Sequence, residues 1–105
     1  MHVKVDLTAA MARVSLAEPA DCRRFDVVVH GTGDRESLDQ ALVAASVGRT
    51  DDDEVLVDVA AVRRLASGSV ADSWEADFQG MLDFARSKRW LTDDGQAIRA
   101  HVEWR

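Results

Sequence analysis

Residues 25–59 constrain this chain more than any other stretch. An apolar run, Phe25-Asp26-Val27-Val28-Val29-His30, meets Gly31-Thr32-Gly33. An amphipathic helix follows, and then a second apolar run, Val55-Leu56-Val57-Asp58-Val59. Strand, helix and strand in that order predict two parallel neighbours joined by a right-handed crossover. Ligands in open α/β sheets bind beyond the carboxyl ends of such strands. The expected site therefore lies at the C-terminal ends of strands 25–30 and 55–59. His30, Thr32, Asp58 and Arg63 are the residues that would meet a small molecule or anion there.

The flanking segments extend the same sheet. Val3, Val5 and Leu7 alternate with His2, Lys4 and Asp6, the period of a half-buried strand. Residues 8–17 admit two readings. Ala9 to Ala12 are helix formers behind a capping Thr8, whereas Val14 and Leu16 alternate with Arg13 and Ser15. The alternation favours a strand over 12–17, and Glu18-Pro19-Ala20-Asp21 is a turn. The first helix, about 34–47, sets Leu38, Ala41, Leu42 and Ala45 on one stripe, with Asp34 as its cap and Gly48 as its stop. Arg49 to Glu54 reads as a polar crossover loop.

Residues 60–66 suggest a helical turn that Ser67-Gly68-Ser69 breaks. A second long helix, about 70–89, has Trp74, Phe78, Met81, Leu82 and Ala85 on its inner stripe. Gly80 in its interior costs about 1 kcal/mol against Ala, which suggests a close approach to the sheet. Thr92-Asp93-Asp94-Gly95 is a turn. The last strand alternates Ile98, Ala100, Val102 and Trp104 with Arg99, His101, Glu103 and Arg105, as in antiparallel pairing or at a sheet edge. Burial of Trp104 would tie that end down. The fold class expected is α/β (or α+β): one domain over 1–105, a small mixed β-sheet of four to five strands and two main helices, in the order β-β-β-α-β-α-β.

Charge and cysteine content narrow the partners. The formal net charge is −6, and a strongly acidic domain is repelled by phosphate backbones and anionic membranes. No nucleic-acid or membrane partner is expected. No apolar stretch is as long as a membrane span, and Asp6 and Arg13 interrupt any signal-like run at the start. Cys22 is the one cysteine, so an intrachain disulfide is ruled out and a reducing cytoplasm suits the chain. Arg outnumbers Lys eleven to two, and Asn and Tyr are absent. That usage points to a GC-rich bacterial source.

The chemistry-bearing motifs are sparse. Gly31-Thr32-Gly33 lacks the third glycine of a dinucleotide fingerprint, because position 36 is Glu36. It reads as a tight turn before a cap. Asp51-Asp52-Asp53-Glu54 lacks the spacing of a calcium loop and reads as solvated charge. His2, His30, His101 and Cys22 have no zinc-site spacing. Cys22 beside Arg23 and Arg24 is a candidate for a lowered thiol pKa. Asp58, within an apolar strand, calls for a partner, and Arg63 or Arg64 is near in sequence. No catalytic set, metal site or cofactor is implied.

The run Val55 to Val62, followed by Ser67-Gly68-Ser69 and a helix, resembles the core of STAS domains, and Phe25 to Ala45 is similar to the strand and helix preceding it. The resemblance implies a regulatory domain with Ser67 as the modifiable serine and a kinase or anti-sigma factor as partner. Ala66 stands where that family carries Asp. From the residues alone the expectation is a non-catalytic regulatory or protein-interaction domain, with self-association through a sheet edge or a tryptophan-bearing surface. The other reading is the small-molecule or anion site at His30, Thr32, Asp58 and Arg63.

Overall fold

The computed structural model describes residues 1–8, 10–31 and 33–105. The described residues form a mixed α+β fold with six strands and three helices. In chain order these are β1 (His2–Asp6), β2 (Arg13–Ala17), β3 (Asp26–His30), α1 (Arg35–Ala44), β4 (Gly48–Asp51), β5 (Glu54–Asp58), α2 (Val59–Ala66), α3 (Trp74–Ser87) and β6 (Ala97–Trp104). The sheet order is β2-β1-β3-β6-β5-β4. The strand reading of 12–17 holds, and 60–66 belongs to a full helix.

The expected pairing of strands 25–30 and 55–59 does not occur. β6 lies between β3 and β5; it runs parallel to β3 and antiparallel to β5. The reason is the segment expected as a crossover loop. Residues 48–51 are a strand, and Asp52-Asp53 reverse it directly into β5. Asp52 takes a left-handed φ of 52°, which Asp tolerates better than most residues. The extra strand uses the direction that a simple crossover would have given β5. The parallel unit is thus β3-α1-β4, with β6 and β5 intervening.

The first helix also ends differently from the expectation. Ser46, not Gly48, takes the left-handed position after α1, with φ 57°. Its N–H bonds to the Val43 carbonyl, and the Val47 N–H reaches back to Leu42 at 2.9 Å. This is a Schellman termination, and its apolar pair, Leu42 and Val47, is fully buried. Gly48 serves the sheet instead: a Cβ there would overlap the Leu56 carbonyl oxygen. The Asp34 cap is as expected, its carboxylate accepting from the Ser37 N–H at 2.8 Å.

The core sits on one face of the sheet. Val3, Val5, Val27, Val29, Val55, Val57, Ile98, Ala100 and Val102 meet Leu38, Leu42, Val62, Phe78 and Leu82 from the helices. The other face carries flanking charge. Lys4 and Glu103 stand either side of Val28, and Arg49 and Arg99 either side of Leu56. Both apolar side chains are nonetheless buried, as expected when long aliphatic stems lie over them. β6, expected in antiparallel pairing or at a sheet edge, is interior, antiparallel to β5 and parallel to β3. Trp104 remains 40% exposed and is not the buried anchor expected. The sheet curls enough for α1 to touch β4 at one edge and β1 and β2 towards the other.

Candidate interaction surface

Helix α3 has two unlike faces. Trp74, Phe78, Leu82 and Ala85 recur at helical spacing and are buried. The Trp74 and Phe78 rings stack at 4.6 Å, and the Arg63 guanidinium lies 5.2 Å from the Phe78 centroid. The outer face carries Ala76, Asp77, Gly80, half-buried Met81 and Phe84. These residues form one wall of a groove of about 660 Å³, and Ala20, Cys22 and Arg23 form the other. Gly80 does not approach the sheet: a Cβ there meets nothing within 4 Å. Its missing side chain deepens the groove.

Two hydrogen bonds hold the second wall. The Trp74 indole N–H donates to the Pro19 carbonyl at 2.6 Å, and the terminal amine of Met1 donates to the Asp21 carbonyl at 2.9 Å. Cys22, next to Asp21, is half-buried. Burial, then the nearby Asp77 carboxylate, push its thiol above the ordinary value. The direction is opposite to the lowering expected from Arg23 and Arg24: both arginines are exposed, while Cys22 is partly buried against the core.

The groove ends at an aromatic pair. Phe84 and Trp90 are 54% and 47% exposed and meet edge to face at 5.8 Å. Trp90 is held firmly. Arg89 adopts φ 63°, and the Trp90 N–H reaches the Ala85 carbonyl at 2.8 Å, a second Schellman termination. Its own carbonyl accepts from the Arg99 N–H. Lys88 Nζ stands 5.6 Å from the Phe84 centroid. Arg86 and Arg89 line an adjoining groove with Leu91, Thr92, Asp93 and Arg99. Arg99 is engaged by Asp51 at 2.7 Å and Glu54 at 3.6 Å. Among the described residues, Arg86, Lys88 and Arg89 have no carboxylate within ion-pair distance.

The residues nominated from sequence do not converge. His30 ends β3 beside the last residues of β6, where the Gly31 N–H bonds to the Arg105 carbonyl. Asp58 pairs with Ala97 at the opposite end of β6. Thr32 lies outside the described residues. Asp58 and Arg63 do share a shallow cleft with Asp94, Gly95 and Gln96. They are not the ion pair expected. Arg63 binds Glu75 at 2.8 Å, and Arg64 donates to the Ala45 and Ser46 carbonyls. Ser67 is exposed at the C-terminal cap of α2. Among the described residues, no group of three or more His, Cys, Asp or Glu side chains is placed to hold a metal ion, and no helix is long and apolar enough to cross a membrane.

Phe84 was the residue sequence reasoning passed over. It falls outside the inner stripe of α3, and a large aromatic on a polar helix face is the signal that marks it. The chain matches no family model, no curated protein and no solved structure.

Proposed function

We propose that this chain is a non-catalytic protein-interaction domain that docks an acidic partner segment, bearing an apolar side chain, along the outer face of α3. The observation that carries the reading is the half-exposed, edge-to-face Phe84–Trp90 pair at the end of a groove, with the Trp90 backbone fixed at both its N–H and its carbonyl. Preorganised aromatic side chains in a partly desolvated setting are the usual energetic centres of interfaces. Charge complementarity sets the partner's sign. Arg86, Lys88 and Arg89 rim the aromatic pair without carboxylate partners, on a chain whose net charge is −6. A short carboxylate-bearing segment meets those cations at contact range, whereas a nucleic acid extends over the acidic remainder of the surface and accumulates its repulsion. Arginine-rich composition and the lone Cys22 support a bacterial cytoplasm as the setting.

The test is selection of binders from a random peptide display library, with affinities measured by titration calorimetry. Enriched peptides combine Asp or Glu with a Leu, Phe or Trp anchor. Phe84→Ala and Trp90→Ala each weaken them by about 2 kcal/mol or more. The triple reversal Arg86→Glu, Lys88→Glu, Arg89→Glu abolishes binding. Enrichment of basic peptides, or of none, sinks the proposal.

A further inference from the structure

We infer that two copies of this chain pair antiparallel through β2, giving one continuous sheet across a two-fold axis. β2 is the outermost strand at its edge and, among the described residues, pairs with β1 alone. The core is unfinished there. Val14 and Leu16 face the same way as their pairing partners Val5 and Val3, which are completely buried, yet both remain half-exposed. Met11, just before the strand, is 82% exposed.

The two edges of the sheet are defended unequally. β4 ends in an Asp52-Asp53 turn; its Thr50 is bound to Asp39, and its Asp51 holds Arg99. Such charge deters strand addition. β2 has neither Pro nor an acidic residue within it, and its one charge, Arg13, stands at the first position. Glu18 follows the last.

That arrangement is complementary to itself. A two-fold axis through Ser15 sets Ser15 opposite Ser15, Val14 opposite Leu16, and Arg13 opposite Ala17, next to Glu18 of the second copy. Each apolar residue gains a cross-strand neighbour and each end gains an opposite charge. The interface uses one patch twice, as a two-fold dimer requires. It is separate from the α3 surface.

Sedimentation equilibrium of the full chain, from micromolar to millimolar, tests this together with cross-linking. The wild type associates to a dimer. Arg13→Glu and Glu18→Arg each weaken it by about tenfold, and the double variant recovers the loss. In a Cys22→Ser background, Ser15→Cys forms a covalent dimer on mild oxidation much faster than Ser87→Cys does. Facing residues of an antiparallel pair lie at Cα separations of about 4.5–5.5 Å, which a disulfide spans. A strict monomer, or Ser15→Cys no faster than the control, overturns the inference. So does a dimer lost in Phe84→Ala or Trp90→Ala but indifferent to the charge reversals, because association would then run through α3.

Discussion

Trp74 and Pro19 are joined by a 2.6 Å hydrogen bond from the indole N–H to the carbonyl, across 55 positions of chain. The bond ties the start of α3 to the opposite wall of the groove. Trp74→Phe keeps an aromatic ring against Phe78 but removes the donor. We expect a loss of about 1 kcal/mol in urea unfolding, with faster amide exchange at Asp21 and Cys22. Trp90→Ala, by contrast, should stay within about 0.5 kcal/mol of wild type, as exposed side chains do. Equal losses in the two variants would refute the division between a structural and a presented tryptophan.

Gly48 admits no side chain. An added methyl collides with the Leu56 carbonyl, which belongs to the backbone and cannot swing away. Gly48→Ala should cost about 3 kcal/mol and remove the protection of β4 amides first. A variant with wild-type stability would show that the β4–β5 approach is looser than described.

Ser46 stops α1 in a backbone region that costs most residues about 1–2 kcal/mol. Glycine is relieved of that strain but loses more freedom on folding. Ser46→Gly should therefore raise stability by about 0.5–1 kcal/mol. Gly80→Ala should add about 1 kcal/mol by helix propensity alone, since its Cβ enters open space. Both changes are read from urea midpoints at unchanged m-value.

Acid should weaken the fold through identifiable carboxylates. Asp6 is held below its ordinary pKa by hydrogen bonds from the Thr8 hydroxyl and N–H, Asp34 by those from Ser37, and Asp94 by those from the Thr92 hydroxyl and the Gln96 N–H. A lowered folded-state pKa means that the unfolded chain takes up the proton first. The contribution is complete above the ordinary value of 3.8 and is lost as pH falls through the lowered folded values. Urea midpoints should hold between about pH 7 and 5 and fall below about pH 4. The triple variant Asp6→Asn, Asp34→Asn, Asp94→Asn should show a shallower acid limb. An identical limb would falsify the assignment.

Much of the fold was written in local periodicity. The alternations of 2–7 and 98–105, the stripe of α3 and the Asp34 cap are each set by neighbours within a few residues, so they survive into the structure. Strand order is not local. Thr50 and Asp51 look like loop residues because their side chains are polar, and only the pairing of Gly48 with Val57 and Asp51 with Glu54 makes them a strand. That one hairpin reversed the direction of β5 and left Asp58 and Arg63 together at the opposite end of β6 from His30. The groove was partly legible: Trp90 at a helix end and Phe84 off the stripe are visible in the sequence. The wall supplied by Ala20 to Arg23 is not, because it depends on a bond between Trp74 and a carbonyl far away in the chain.

Contact of α1 with strands near both edges of the curled sheet has a consequence for how the molecule comes apart. A flat sheet can fray from either side while its centre persists. Here, peeling away β4 strips Leu38 and Leu42 of cover and so loosens the seat of β1 and β2 as well. Melting should be all-or-none, and amides in the two hairpins should exchange through the same global opening rather than one after the other.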